Sequence, residues 1–319
     1  MLSDAVAFLR AYDSFLLIAH VAPDGDALGS CLALKLLLER MGKRAQVVCD
    51  DPMPHLCAFL PGAAEVLAGD AEIDAQALVA VDCADVGRAG KVWSRAGHRP
   101  SLCIDHHITN PAFAQVNYIE DCAATGELIC LLYEALGQPI DPEAGVCLYT
   151  AIATDTGNFA YSSVTPRTFV LMGKVMESGF DLPECNRLLY RNQRLQKLRM
   201  TARTVENARL YRDGKVIVGV LSKAETEAVG GLKADAEGII DSLRDVETVI
   251  AACFLREELG DELKVRVSLR SKDKVDCAAL ASAYGGGGHV RAAGATLRTT
   301  LAEAEELVTR DLLSAFDRA

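Results

Sequence analysis

Three short and almost wholly apolar runs, Phe15–Ala19, Ala77–Val81 and Ser101–Ile104, are each followed at once by a residue able to hold a cation: His20, Asp82 and Asp105. Runs of that length without polar alternation read as strands buried on both faces. A further strand, Ala45–Cys49, follows an amphipathic helix over Ala27–Met41 that Gly42 stops. Buried strands separated by helices make a parallel sheet covered on both faces, and such sheets collect ligands at the carboxyl ends of their strands. The expected fold is therefore α/β, with imidazoles and carboxylates gathered on one rim. Holding them there is costly unless cations neutralise them.

With 319 residues, half of them apolar, the chain has material for about two domains. No segment approaches the ~20 apolar residues of a membrane span. Asp4 stands early and Phe15–Ala19 is only a brief apolar run, so the N-terminus does not read as a signal peptide and a cytoplasmic location is expected. The eleven cysteines include no Cys-x-x-Cys and read as buried thiols rather than a thiolate metal site. A net charge of −11 argues against a duplex DNA partner, while leaving room for a small anion in a local basic pocket.

Four motifs carry the chemistry. In His20-Val-Ala-Pro-Asp24-Gly25-Asp26 an imidazole at a strand end precedes two alternate carboxylates, with Gly25 expected to let the loop turn tightly. An ordinary Asp-Gly-Asp turn is the alternative. Asp82 either caps the next helix or bridges two cations. In Asp105-His106-His107, strand alternation is expected to send the two histidines in opposite directions, one to metal and one to substrate, with Asp105 fixing an imidazole tautomer. Asp155 ends a helix that Asp141 caps and Pro142 opens. The set His20, Asp24, Asp26, Asp82, His106 and Asp155 lacks thiolates and suits Mn²⁺ best, with Mg²⁺, Co²⁺, Fe²⁺ or Zn²⁺ as competitors. Two such ions ~3.5–4 Å apart would activate water for an in-line phosphoryl displacement.

Beyond Thr165-Pro166 helices are expected to run to about Glu206. Arg187, Arg191 and Arg194 would share one helical face, looking toward an anion or simply toward solvent. A hairpin follows, with Ala208–Arg212 and Lys215–Leu221 as strands around Asp213-Gly214; strands at Thr248–Arg256 and Leu263–Arg270 and helices around Ala236–Arg244, Cys277–Tyr284 and Leu301–Phe316 complete an α+β domain. Gly285-Gly286-Gly287-Gly288-His289 is expected to open a helix containing Val290–Ala293, its amides approaching an anion while His289 and Arg291 supply donors. Lys264–Arg298 carries seven Lys or Arg against two Asp, a reversal of the chain's overall sign that favours a phosphate-binding face.

Taken in order, His20…Asp24-x-Asp26, Asp82, Asp105-His106-His107, Asp155 and Gly285-Gly-Gly-Gly288-His289 resemble the DHH phosphoesterases with a C-terminal DHHA1 domain. The match covers nearly the whole chain. Its compact length is similar to the NrnA-type branch of oligoribonucleases and 3′-phosphoadenosine 5′-phosphate (pAp) phosphatases, rather than to the larger RecJ exonucleases. The resemblance implies a DHH catalytic domain over 1–185, a helical linker over 186–207 and a DHHA1 substrate-binding domain over 208–319. It implies that His20 and Asp24 bind one manganese, Asp26, His106 and Asp155 the other, and that Asp82 bridges. His107 would touch the scissile phosphate. His289, Arg291 and the glycines Gly286, Gly287 and Gly288 would hold a substrate phosphate, with Arg270 and Ser271 near.

The expected activity is hydrolysis of short single-stranded RNA to mononucleotides, with pAp as a second substrate. A phosphodiesterase for linear or cyclic dinucleotides is the nearest alternative, and a nucleotide-binding regulator without catalysis is the alternative of another class. A type II pyrophosphatase fits less well, since the resemblance implies a different C-terminal domain there. A homodimer is the base-rate expectation.

Overall fold

The computed structural model describes residues 1–318 and divides into two compact units, one from Met1 to Asn192 and one from Gln193 onward. The first unit runs α1 (Leu2–Ala11), β1 (Ser14–Ala19), α2 (Gly25–Arg40), β2 (Arg44–Cys49), β3 (Leu67–Ala68), β4 (Ala77–Val81), α3 (Gly90–Arg95), β5 (Ser101–Asp105), β6 (Val116–Ile119), α4 (Thr125–Ala135), α5 (Pro142–Asp155), α6 (Pro166–Met176) and α7 (Leu182–Tyr190). Its sheet has the order β3-β2-β1-β4-β5-β6 with every pairing parallel, which bears out the α/β reading. All residues of β1, β4 and β5 are buried, as strands covered on both faces must be. The strand order reverses between β1 and β4, and doubly wound sheets open a ligand crevice at that reversal.

Helices α2, α4 and α5 cover one face of the sheet and set the site's geometry. Gly25 has an ordinary helical conformation at the start of α2, so the tight turn expected of it is not its role; a Cβ there would strike the side chain of Thr154 on α5. One turn on, a Cβ at Gly29 would lie 2.5 Å from the Cys147 carbonyl oxygen, and at Gly126 of α4 it would lie 2.7 Å from Ala151 Cβ. These glycines let α5 lie against α2 and α4, and that carries Asp155 to the rim. Gly29→Ala is expected to destabilise the protein by about 1–3 kcal/mol through overpacking. Urea unfolding would read this as a lower midpoint at unchanged slope.

The second unit runs α8 (Leu195–Glu206), β7 (Arg209–Tyr211), β8 (Val216–Leu221), α9 (Lys223–Ala228), α10 (Ile239–Arg244), β9 (Ala251–Glu257), β10 (Val265–Ser271), α11 (Cys277–Ser282), β11 (Gly287–His289), β12 (Ala292–Leu297) and α12 (Leu301–Arg318). Its sheet, ordered β11-β12-β10-β9-β8-β7, is antiparallel except between β8 and β9. One face packs Cys253, Leu255, Val265, Val267 and Leu269 against α12; the other packs Ala252 and Phe254 against Ile239, Ile240 and Leu243 of α10 and Met200 of α8.

Two expectations fail here. The arginines 187, 191 and 194 do not share a helix face, because α7 ends at Tyr190 and α8 begins at Leu195, with Arg194 extended between them. Arg187 pairs with Glu184 and Arg194 with the buried Asp235, each at 2.7 Å. The glycine motif opens no helix: it forms β11, which turns through Val290 and Arg291 into β12. A Cβ at Gly288 would lie 2.6 Å from Ala293 Cα, and one at Gly286 2.7 Å from Ala295 Cβ, so these glycines let the hairpin close on itself. Among the described residues no helix is long and apolar enough to cross a membrane.

Candidate metal centre

His20 leaves the end of β1, Asp82 the end of β4, and Asp105 ends β5, so the sheet's carboxyl rim delivers three of the candidate residues. Asp24 caps α2, its carboxylate accepting the Asp26 and Ala27 amides at 3.1 and 3.0 Å. Asp26, in the first turn and buried, accepts the Thr125 and Gly126 amides at 2.6 and 2.9 Å and the Ser30 hydroxyl at 2.9 Å. Those amides are the positive end of α4, which favours a carboxylate there. Asp82 sits at φ 60°, a left-handed conformation that aspartate tolerates better than most residues, and accepts the Thr125 hydroxyl at 2.8 Å.

The donor atoms converge around Asp82. One of its oxygens lies 3.5 Å from His20 Nε2, which is 3.6 Å from Asp24; the other lies 3.6 Å from His106 Nε2, which is 3.4 Å from Asp155. His20, Asp24 and Asp82 form one group whose donors lie within 4.8 Å of one another, Asp26, His106 and Asp155 a second, and Asp82, His106 and His107 a third.

The imidazoles are turned by backbone carbonyls. His106 Nδ1 is 3.0 Å from the Cys122 oxygen and donates its proton there, leaving the Nε2 lone pair toward Asp82 and Asp155. His20 Nδ1 is 2.9 Å from the Val21 oxygen. Arg88 bonds the same carbonyl at 3.0 Å and lies 2.8 Å from Nδ1, a contact that suits Nδ1 only as an acceptor; the tautomer with a free Nε2, which a cation requires, is the one bonded to Val21. His107 Nδ1 is 2.7 Å from Asp105, whose other oxygen accepts the Asn110 amide at 2.6 Å. That commits Nδ1 of His107 to Asp105 and sets the third group apart from the other two. The expectation that the two histidines diverge is wrong: their rings stand 4.6 Å apart, edge to face, because β5 ends at Asp105 and strand alternation no longer acts on them.

Electrostatics give the cluster its character. Burial, then the neighbouring carboxylates Asp82, Asp155 and Asp24, push Asp26 well above the usual carboxylate range. Burial, then Asp82 and Asp24 against the opposing pull of His106, raise Asp155 to about 6. Burial would lower His20, but Asp24 and Asp82 outweigh it and hold the imidazole at about 10. For Asp105 burial acts upward, yet the His107 and Asn110 donors keep it low; the bond to Asp105 in turn raises His107 against burial. Four carboxylates and two imidazoles of this kind form a hard, oxygen-rich donor set without thiolates, which fits divalent cations. Cys83, beside Asp82, is buried, and its Sγ lies against the Ile18 and Val81 carbonyl oxygens at 3.7 and 3.4 Å, outside the three donor groups.

Arg88, Asn110, Ser30 and the Thr125 amide contribute here without having been singled out in the sequence. Asn110 follows Asp105 by five residues and could have been tied to it; Thr125 gives no local cue, since its partner Asp26 lies 99 residues away.

In the second unit, register places His289 opposite Ala292 and Ala292 opposite Arg270, so His289 and Arg270 share one sheet face. Ser271 does not: its side chain is buried on the opposite face, donating to the Asp273 carbonyl. Arg291, in the hairpin turn, is exposed and 3.3 Å from Asp273.

Together with the family matches that follow, the doubly wound sheet and its oxygen-rich donor set at the switch point place the chain among the metal-dependent phosphoric ester hydrolases. The chain belongs to the DHH/DHHA1 phosphoesterase family: residues 14–152 match the DHH family N-terminal domain and residues 213–318 the DHHA1 domain. It is 33% identical over 294 residues, covering 91% of this chain and 86% of the relative, to the bifunctional oligoribonuclease and PAP phosphatase NrnA of Thermus thermophilus. Its identity to the NrnA of Bacillus subtilis is 29% over 303 residues, covering 93% of each. Among solved structures it resembles an exopolyphosphatase-related protein from Bacteroides fragilis, with a TM-score of 0.91, 26% identity, and coverage of 99% of this chain and 95% of that one.

Proposed function

We propose that this chain is a manganese-dependent phosphodiesterase that hydrolyses short single-stranded RNA to mononucleotides and also removes a phosphate from pAp. The observation that carries this reading is the gathering of two imidazoles and three further carboxylates around Asp82, in a chain similar over most of its length to enzymes named for those two activities. His20 and Asp24 would hold one cation, Asp26, His106 and Asp155 the other, with Asp82 shared between them. When bound, the cations supply Lewis-acid stabilisation of the charge that builds on the phosphoryl oxygens and make water nucleophilic near neutral pH.

The chain's own residues do the rest. Asp105, buried and fixed by Asn110, holds His107 by Nδ1 and favours its protonated form, so Nε2–H is left to donate to a non-bridging oxygen of the scissile phosphate. Arg270 and His289, sharing a sheet face, would receive a terminal phosphate, with Arg291 and the amides of Gly286, Gly287 and Gly288 beside them. Charge supports a small substrate over duplex DNA, since a net −11 leaves cations concentrated locally in Lys264–Arg298.

The test is incubation with Mn²⁺ and a panel of RNA dimers to pentamers, longer RNA, cyclic dinucleotides and pAp, with products separated by chromatography. Release of mononucleotides from the short RNAs is expected, with turnover falling steeply for longer RNA. Hydrolysis of cyclic dinucleotides alone would replace this reading with the signalling one.

A further inference from the structure

Two arginines stand directly opposite one another in the second sheet: Arg256 of β9 pairs in register with Arg266 of β10. Side chains so placed are ~4.5–5.5 Å apart at Cβ, and like charges there repel. Only one of the two charges meets a carboxylate, and that one at a distance. Arg256 is 5% exposed and its NH1 has no hydrogen-bond partner among the described residues, although a buried guanidinium normally has all its donors satisfied. Its nearest carboxylate, Glu258, is 3.7 Å from NH2 and equally far from Lys233. Arg266 is exposed and bonds the Thr296 hydroxyl at 3.1 Å, with no carboxylate in ion-pair distance among the described residues.

The surroundings show where an anion would come from. Arg266, Ser268 and Arg270 alternate onto the sheet face that also bears His289, Gly287, Gly294 and Thr296. Between the Arg266–Thr296 row and the Arg270–His289 row lies a row that runs from the buried Phe254 of β9 through Ser268 and Gly294 to Gly287, a lane with almost no side chain over β10, β12 and β11. The Arg266 guanidinium leans over this lane, its NH2 3.7 Å from the place a Gly294 Cβ would occupy. Four residues of strand separate Arg266 from Arg270, about 13 Å along β10.

We infer that Arg256 and Arg266 form a second phosphate subsite, which holds a backbone phosphate of an oligonucleotide whose terminal phosphate lies at Arg270 and His289. This rests on the reading of the chain as a short-RNA hydrolase and sets how substrate length is sensed. An oligomer long enough to span the lane engages both subsites, whereas a dinucleotide or pAp engages only the Arg270 end.

The test uses full-length protein in a chelator, so that nothing is hydrolysed, and calorimetric titration with 5′-phosphorylated adenylate dimers and tetramers. Wild type is expected to bind the tetramer about tenfold more tightly than the dimer, ~1.4 kcal/mol. Arg266→Gln is expected to abolish that preference while changing dimer affinity less than about twofold. An unchanged preference, or equal loss for both lengths, overturns the subsite.

Arg256→Met supplies the second arm. A subsite predicts a melting temperature in anion-free buffer no lower than wild type, because a buried charge with only a distant carboxylate and an opposing arginine is removed, together with loss of the extra stabilisation that inorganic phosphate confers on wild type. A lowered melting temperature with the phosphate effect intact makes Arg256 structural and overturns the inference. If neither oligonucleotide binds wild type but phosphate still stabilises it through Arg256 and Arg266, the anion site stands and the short-RNA reading falls.

Discussion

Asp82→Asn is expected to lower hydrolysis of short RNA by roughly a thousandfold or more, equivalent to about 4 kcal/mol of transition-state stabilisation. Asp82 is the residue both donor groups need, one oxygen toward His20 and the other toward His106. Asparagine is the right replacement because it tolerates the left-handed backbone that Asp82 adopts at φ 60° and keeps an oxygen for the Thr125 hydroxyl. Without cations the variant is expected to keep the wild-type fold, read as an unchanged circular dichroism spectrum, since it loses repulsion from Asp26 and Asp155 together with its attraction to His20. Two readouts therefore separate: activity and the cation-induced rise in melting temperature vanish, while the metal-free fold persists. Wild-type turnover in this variant would remove Asp82 from the centre.

The second large effect is the stabilisation that divalent cations themselves confer. At a thousand times its dissociation constant a ligand that binds only the folded state adds about 4 kcal/mol, roughly 10 °C for a unit of this size. The metal-free protein supplies the contrast through pH. Asp155 has a folded value near 6, above its ordinary 3.8, so its protonated form is favoured by folding; that contribution is full below about 4 and is lost as pH rises through about 6. His20, held at about 10 against an ordinary 6.5, contributes fully below 6.5 and loses its share as pH climbs toward 10. Both slopes run the same way, so the metal-free melting temperature falls from pH 5 to pH 8, and Mn²⁺ reverses the fall. A melting temperature indifferent to Mn²⁺ at pH 7.5 would count decisively against a cation at these residues.

Much of this was legible from the chain because the signals were local. The apolar runs ending at Ala19, Val81 and Ile104 announce buried parallel strands, and Asp141-Pro142 announces the helix that Asp155 ends. The edge strands β3 and β6 were not legible: β3 is two residues long, and β6 is only partly buried. Gly25 and the Gly285–Gly288 run misled for one shared reason. Glycine permits a turn, a helix start or a close approach alike, and only the neighbour decides; here the neighbours are Thr154, remote from Gly25 in sequence, and Ala293 and Ala295, which only the strand pairing brings against Gly288 and Gly286. Ser271 and the Arg256–Arg266 pair depend on strand register, which sets which face a side chain takes and is fixed by pairing between strands.

The Asp26 carboxylate is held by amides 99 and 100 residues further along the chain, and Asp155 lies further still. During synthesis from the N-terminus, His20, Asp24 and Asp26 emerge well before the helix end that neutralises Asp26 and before the carboxylate that completes the second donor group. Until Asp155 emerges the chain holds only the incomplete set His20, Asp24, Asp26, Asp82 and His106. The complete donor set therefore exists only once α4 and α5 have docked, and a preference for one metal cannot precede that step.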